Sequence, residues 1–351
     1  MKHSFREWWD DSTSFRVSCY VIVIALLLVS VVVAVAVGTV TVPIKSTLSV
    51  LAKGILGIDI GPGYTVQQGQ YIWEFRLPRV LLAAVVGAGL SIVGATLQAT
   101  VRNPLADPYI LGVTAGAGLG AVMVAVLGGA VLAASFWRFA AAFLGAVVAL
   151  VAVVILSRTR GSYTPNRIVL AGVTLSYLFT GLTSYLIFRS DDPQAAGSIL
   201  FFLLGTLAQA NWVTIAVPSG ALIIVFIYLL SRARALDALA VGDETARALG
   251  FEVDRERLCL MVSSALLIGV LVAVSGGVGF AGLVVPHAVR MIIGSKHFYL
   301  LSMGALVGAI FLILVDVVCR ISVRPAELPI GVVTAIIGAP YFLYLLRRNR
   351  V

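Results

Sequence analysis

Two arginines, separated by a leucine and a proline in Arg76-Leu77-Pro78-Arg79, stand directly before an apolar, glycine-dotted segment (80–101). That segment runs into the turn Arg102-Asn103-Pro104-Leu105-Ala106-Asp107-Pro108. A second close pair, Arg320 and Arg324, stands at another such boundary. A guanidinium is permanently charged, and its planar fork suits carboxylates. What these four charges can do depends on the side of a membrane they face.

Other residue patterns exclude chemistry. The phosphate loop Gly-x4-Gly-Lys-Ser/Thr does not occur, so the chain does not bind ATP by that device. Gly277-Val278-Gly279-Phe280-Ala281-Gly282 has dinucleotide spacing, but no strand precedes it and Pro286 interrupts the helix that should follow. There is no His-Glu-x-x-His pair, and His3, His287 and His297 are far apart. His287, beside Pro286, reads as an interfacial or backbone-bonding residue. Asp191-Asp192 has no partner cluster. Cys19, Cys259 and Cys319 are widely separated and lie in or beside apolar segments, which argues against a disulfide framework or metal cluster. Neither a catalytic constellation nor a metal site is expected. The net charge of +9 comes without a basic face interleaved with aromatics, so nucleic acid is not an expected partner. Asp316 is the clear acidic residue within an apolar segment, and Arg320 lies one helical turn away as its partner. Ion-coupled transporters use intramembrane carboxylates to carry protons or cations, and their scarcity counts against that class.

The elements that must hold these residues are membrane helices. Of 351 residues, 60% are hydrophobic and 12% charged, against roughly a quarter charged in soluble domains, and the mean hydropathy is +1.05. Runs of about 20 apolar residues are candidate spans. The fold class is therefore all-α and polytopic, with about ten spans expected near 17–41, 80–101, 109–133, 136–157, 168–188, 212–231, 258–275, 278–293, 299–319 and 328–346. The eighth is short and carries Gly279, Gly282 and Pro286; were it re-entrant, the parity of the spans would change. The first span is too long for a signal peptide core and is expected to stay. Lys and Arg favour cytoplasmic termini by about two to one. This orientation places Arg76, Arg79, Arg320 and Arg324 outside, against the general trend.

Residues 1–351 form a single transmembrane domain, with a short cytoplasmic segment at 1–16. Stretches 43–79 and 189–211 lie outside, the latter with a short interfacial helix expected from Ile199 to Leu207. Stretch 232–257 lies inside and is the most charged. Within it, Asp243 and Glu244 open a short helix after Gly242, and Gly250 closes it. Ala246, Leu249 and Phe251 give that helix an apolar surface, and a second helical turn is expected from Asp254 to Arg257. Two short helices across this face would make a docking surface for a soluble partner. Gly112, Gly116 and Gly120, four apart, favour close helix packing.

The sequence resembles the FecCD-type permease subunits of ATP-binding-cassette importers, which take up ferric siderophores, haem and cobalamin. Four stretches carry the likeness. They are Arg76-Leu-Pro-Arg79 with its glycine-rich helix through Gly116, Ala246-Arg-Ala-Leu-Gly250, Gly277 through Arg290, and Glu327-Leu-Pro-Ile-Gly through Pro340. Together they cover about residues 70 to 351 in order.

The resemblance implies a ten-helix type II importer permease that pairs with a second permease subunit, identical or related. It implies two cytoplasmic ATPase subunits that carry ATP and magnesium, with no cofactor on this chain. A periplasmic or lipid-anchored substrate-binding protein would dock outside on Arg76, Arg79 and Arg320. Gly242, Ala246, Leu249 and Gly250 would couple to the ATPase. Thr164, Pro165 and Asn166 would form an inner gate before a route-lining fifth helix, with the tenth helix also on the route. The implied location is the bacterial cytoplasmic (inner) membrane, within the lipid bilayer. Ferric siderophore is the expected cargo, with haem and then cobalamin as alternatives. An ion-coupled secondary transporter and a membrane-embedded enzyme are the readings from other classes.

Overall fold

The structure is a computed structural model that describes residues 6, 8–9, 12–38, 42–58, 63–127, 135–159, 162–190 and 193–347. Half of the 1–16 segment and the Asp191-Asp192 pair lie outside the described residues.

Helix α1 (Thr13–Ala36) is followed by a short α2 (Ile44–Leu51). A continuous helix then begins as α3 (Val66–Gln70), passes through a π turn (Tyr71–Arg76) and becomes α4 (Leu77–Thr100). A 3-10 turn (Pro108–Leu111) leads to α5 (Val113–Leu127) and α6 (Ser135–Ser157). A two-residue hairpin of β1 (Arg158–Thr159) and β2 (Ser162–Tyr163) pairs Arg158 with Tyr163 and introduces α7 (Pro165–Phe188). Then come α8 (Pro193–Leu203), α9 (Trp212–Ser231), α10 (Ala233–Val241) and α11 (Asp243–Ala248). The chain ends with α12 (Val253–Ser275), α13 (Ala281–Ile293), α14 (His297–Ile321) and α15 (Ile330–Arg347). Seven helices among the described residues are long and apolar enough to cross a membrane: α1, the composite α3–α4, α6, α7, α9, α12 and α14. The shorter apolar helices α5, α13 and α15 supply the other three of the ten expected.

The bundle is organised around α4, which is buried on every face from Val86 to Thr100. An apolar helix without a polar side belongs at the centre of a bundle. Small residues let its neighbours come in to backbone contact. A β-carbon at Gly94 would sit 1.7 Å from the Gly282 carbonyl oxygen of α13, and one at Gly87 would sit 2.1 Å from that of Gly308 on α14. Of the expected row, Gly116 and Gly120 do the same for α5, whereas Gly112 lies just before it at φ +69°. Atoms added at Gly116 and Gly120 would meet the Gly145 and Ala141 carbonyls of α6 at 2.5 and 2.0 Å.

Three boundaries differ from the sequence expectation. The second span was expected from residue 80, yet its helix starts at Val66. Thr65 and Gln68 form a reciprocal capping box (3.1 and 3.2 Å) that nucleates it early. Pro78, which lacks an N–H, is tolerated because the π turn just before it shifts the hydrogen-bond ladder. Arg76 and Arg79 therefore sit within a helix rather than at its mouth. The turn expected at 254–257 is the first turn of α12, continuous with the span that was expected to begin at 258. The interfacial helix covers Pro193–Leu203 instead of running from Ile199 to Leu207.

Helix α13 has 13 residues, about 20 Å at 1.5 Å per residue, short of the roughly 30 Å hydrocarbon core. Irregular backbone makes up the difference where three segments meet and bond one another. Thr206 N–H donates to Ser275 O (2.8 Å), Ile330 N–H to Gly205 O (2.9 Å) and Gly331 N–H to Leu204 O (2.9 Å). Val278 N–H donates to the Tyr109 hydroxyl. Such mutual pairing is what non-helical backbone requires where water is excluded.

The Arg102–Pro108 turn is what aims Tyr109. Asn103 Oδ1 accepts from Leu105 N–H (2.9 Å) and Asp107 Oδ1 from Tyr109 N–H (2.9 Å). Burial pushes the Asp107 carboxyl above its ordinary range, against the backbone N–H groups that bond it. The motif that stood out in the sequence is thus a structural turn.

Replacing Gly94 with alanine forces α4 and α13 apart. The expected loss is about 1–3 kcal/mol, the usual penalty for overpacking. Thermal unfolding of the purified protein in detergent should show a lower midpoint, whereas the same change at Gly220 in α9, where an added β-carbon meets nothing within 4 Å, should not lower it.

Candidate functional site

The two ends of the bundle are each tied by buried arginines. At one end, the last carbonyls of α1 have no helical donors, and α1 carries no basic residue in its own last turn. Two guanidinium groups from other helices supply the donors. Arg76 Nη1 donates to Val35 O (2.8 Å) and Ala36 O (2.9 Å). Arg320 donates from Nη1 to Val37 O (2.8 Å) and from Nη2 to Ala34 O (2.9 Å). Positive charge here also meets the negative end of the α1 dipole. Arg76 lies over the Tyr71 ring as well, 4.8 Å from its centroid.

Asp316 offsets these charges. Its Oδ1 accepts from Arg79 Nε (2.9 Å) and lies 2.8 Å from Arg79 Nη2, and its Oδ2 lies 2.9 Å from Arg320 Nε. The Arg320 Nε–H itself points to the Asp316 carbonyl (3.4 Å), so the contact with Oδ2 is an ion pair. The pairing of Asp316 with Arg320 matches the sequence reading. Arg79 reaches on to both oxygens of Glu327 (3.0 and 2.9 Å).

An exposed rim of three arginines is therefore not what the chain presents. Arg76 and Arg320 are buried and engaged with α1 backbone. Of the three, Arg79 is the one whose ion pair reaches the surface, through half-buried Glu327. A cavity of about 70 Å³ opens among Gly38, Arg76, Arg79, Arg320 and Glu327, room for little more than solvent or one carboxylate. Sequence reasoning missed Glu327 as the surface partner, although its place at the start of the Glu327-Leu-Pro-Ile-Gly stretch marked it.

The opposite end carries the other expected residues. Helix α11 closes in a Schellman motif, with Gly250 N–H bonded to Arg247 O (2.9 Å) and Phe251 N–H to Ala246 O (3.0 Å). Gly250 adopts φ +86°, a left-handed conformation that suits glycine. Gly242 starts the helix at φ +156°. Ala246 points inward and is 0% exposed, while Leu249 is 64% exposed and Val241, Glu244 and Arg247 are also exposed. The apolar surface expected from Ala246, Leu249 and Phe251 is thus divided. Ala246 anchors the helix, Leu249 faces out and Phe251 is half-buried.

Thr164 is the N-cap of α7, with Pro165 and Asn166 in its first turn; Thr164 and Asn166 are exposed. Leu170, Thr174, Tyr177, Gly181, Tyr185 and Phe188 share one face of α7. That face is uncovered, with Tyr177 at 78% and Phe188 at 89% exposure.

One buried side chain, Arg257 at 1% exposure, joins α11 to the segment before α7. Its Nη2 donates to Asp243 Oδ1 (2.7 Å), its Nη1 to Tyr163 O (2.7 Å) and its Nε to Thr100 O (3.4 Å). Three residues earlier on α12, Asp254 Oδ1 accepts from Tyr163 N–H (2.9 Å). Burial would raise the Asp243 carboxyl, but the hydrogen bond and charge of Arg257, with Arg102 and Arg247, outweigh it and hold the carboxyl below its ordinary value. Sequence reasoning placed Arg257 only at the end of the short turn expected from Asp254. The signal for it was a charged run, Asp254-Arg255-Glu256-Arg257, leading directly into an apolar helix.

His287 is buried against Tyr341 and Phe342, and neither ring nitrogen has a hydrogen-bond partner among the described residues. It is neither interfacial nor backbone-bonding, because α15 covers it with aromatic rings. Among the described residues, no group of His, Cys, Asp or Glu could hold a metal ion.

Residues 26–348 match the FecCD transport family. The chain belongs to the FecCD transport family. It is 42% identical over 283 residues to the hemin transport system permease protein HmuU of Yersinia pestis, covering 80% of this chain and 84% of that one. It is 38% identical over 304 residues to the vitamin B12 import system permease protein BtuC of Vibrio cholerae, covering 85% and 89%. A solved metal-chelate type ABC transporter, in an inward-facing conformation, superposes with a TM-score of 0.80 at 33% identity, covering 93% of this chain and 97% of that one. The protein is thus a multi-pass permease of an ABC importer family.

The buried and the exposed carboxylate in the arginine cluster should differ sharply in worth. Asp316→Asn leaves Arg79 and Arg320 facing each other without the buried charge between them, and should cost about 3–5 kcal/mol. Glu327→Gln should cost no more than about 1 kcal/mol, because solvent screens that pair. Thermal melts in detergent measure both. An Arg79→Gln/Asp316→Asn double variant should lose less than the sum of the single losses.

Proposed function

We propose that this chain is the passive, membrane-spanning half of an ATP-driven importer that passes a ferric siderophore from a substrate-binding protein across the inner membrane. One observation carries the reading: α11 exposes Leu249, Glu244 and Arg247 while its own Ala246 and Asp243 are anchored in the bundle. That is the form of a rigid docking helix. In this reading Gly242, Ala246, Leu249 and Gly250 belong to the ATPase coupling element. ATP and magnesium belong to two separate ATPase subunits, and this chain needs no cofactor of its own.

The distribution of Lys and Arg supports both termini and the Arg257 end on the cytoplasmic side. The Arg76, Arg79 and Arg320 end then faces outward, toward a periplasmic or lipid-anchored binding protein. Arg79 is the arginine positioned to exchange Glu327 for a partner's carboxylate, and Arg76 and Arg320 hold α1 in place behind it. The uncovered face of α7 is where a second permease subunit and the route between the two would lie. Thr164, Pro165 and Asn166 close that route on the cytoplasmic side.

A siderophore fits the metal-chelate type named for the solved neighbour. Haem is the second reading, favoured by the hemin permease at 42% identity. Proteoliposomes carrying this permease with its ATPase and binding protein decide between them. ATP-dependent uptake of a radiolabelled ferric siderophore, unaffected by excess haemin or cyanocobalamin, is expected. Uptake of haemin alone would replace the cargo reading with the second one. For the coupling reading, Leu249→Glu should abolish co-purification of the ATPase while leaving the melting temperature of the permease unchanged. Retained ATPase would remove Leu249 from the docking surface.

A further inference from the structure

Both backbone polar groups of Tyr163 bond to one face of the first turn of α12. Its N–H is held by Asp254 and its C=O by Arg257, three residues apart. Residues i and i+3 lie on the same side of a helix, so the two side chains clamp a single peptide position between them. Tyr163 is itself buried and is followed directly by Thr164, the N-cap of α7. Because Pro165 has a fixed φ and lacks an N–H, the step from Tyr163 into α7 has little freedom to absorb displacement. Movement of Tyr163 is therefore movement of the gate turn.

The same guanidinium holds the start of α11. Nη1 and Nη2 of Arg257 point to Tyr163 O and Asp243 Oδ1, each at 2.7 Å. Two nitrogens of one planar group keep a fixed separation, so the two partners cannot shift independently without breaking a charge-assisted bond in a buried site. The third donor, Nε, reaches Thr100 O at 3.4 Å, at the end of the central helix α4. That bond is the long one of the three. Arg102 adds a more distant charge to Asp243, 3.8 Å away and exposed, which screening makes weak. Arg257 is the tight link.

We propose that Arg257, with Asp254, is the positioning device that transmits displacement of the α11 docking helix to the Thr164-Pro165-Asn166 gate turn. This rests on the reading of α11 as the ATPase docking element. It adds that transmission runs through one buried guanidinium rather than through the α10–α11 backbone alone. A lysine at this position keeps the charge toward Asp243, but its shorter, freely rotating ammonium cannot impose the fixed spacing that the planar fork sets between Asp243 Oδ1 and Tyr163 O. The link to the gate is then lost while the docking helix stays anchored.

The test uses the whole transporter in proteoliposomes, with a Cys259→Ser background and Asn166→Cys as a reporter for maleimide labelling. Assembled on ATPase and binding protein, the reporter's labelling rate should change at least fivefold when ATP is added. With Arg257→Lys in the same background, that change should fall below twofold while ATP hydrolysis stays within twofold of the parent. Asp254→Ala, which releases only the Tyr163 N–H, should reduce it by an intermediate amount.

A fivefold ATP-dependent change retained in both variants would overturn the proposal. So would hydrolysis falling in step with labelling, since that marks a merely structural role. A failure of the docking reading gives a different result: the ATPase would not assemble on the parent protein, or would assemble equally well on Leu249→Glu.

Discussion

A backbone carbonyl that leaves a helix in an environment without water must find a donor, and much of this structure follows from that need. The last three carbonyls of α1 and that of Val37 just beyond it accept from Arg76 and Arg320. At the other end, Thr100 O and Tyr163 O take theirs from Arg257. Arginine suits the task because its donors are spread over a rigid fork and it stays charged. The buried guanidinium groups of Arg320 and Arg257 are each balanced by a carboxylate, Asp316 and Asp243. Where side chains do not reach, at the junction of 204–206, 275–278 and 330–331, the irregular segments bond one another.

This requirement also divides the surface from the interior in a functional way. The arginine cluster at one end is turned inward, so in the proposed docking a partner would meet Arg79 and Glu327 rather than three exposed cations. At the other end, α11 presents Leu249 but buries Ala246 and ties Asp243 to Arg257. In the proposed coupling role, α11 would be the lever a soluble ATPase grips, and a lever transmits force only if its other side is held. The Schellman closure at Gly250 and the Asp243–Arg257 pair provide that hold.

Much of the architecture was legible from the sequence. The apolar runs gave the ten helices, because a span in hydrocarbon leaves a compositional trace about 20 residues long. The Asp316–Arg320 pair followed from helical spacing, and the α11 helix from Gly242, its acidic first turn and Gly250. The helix start at Val66 was not legible, because the Thr65–Gln68 capping box lies in a polar stretch that reads as loop. The burial of Arg76 and Arg320 was missed for another reason. Sequence places a charge at a helix end but does not show the carbonyls of a distant helix that draw it inward. The clamp on Tyr163 joins residues more than 90 positions apart, so no local pattern could announce it.

The central claim is that this chain opens and closes on force delivered by an ATPase and carries no ion-driven step of its own. It is tested most directly by uptake of a radiolabelled ferric siderophore into proteoliposomes, with the ATPase present or omitted and with ionophores that collapse proton and sodium gradients. The account predicts uptake that requires the ATPase and ATP and is indifferent to the ionophores. Uptake that persists without the ATPase and disappears when the gradients collapse would contradict it.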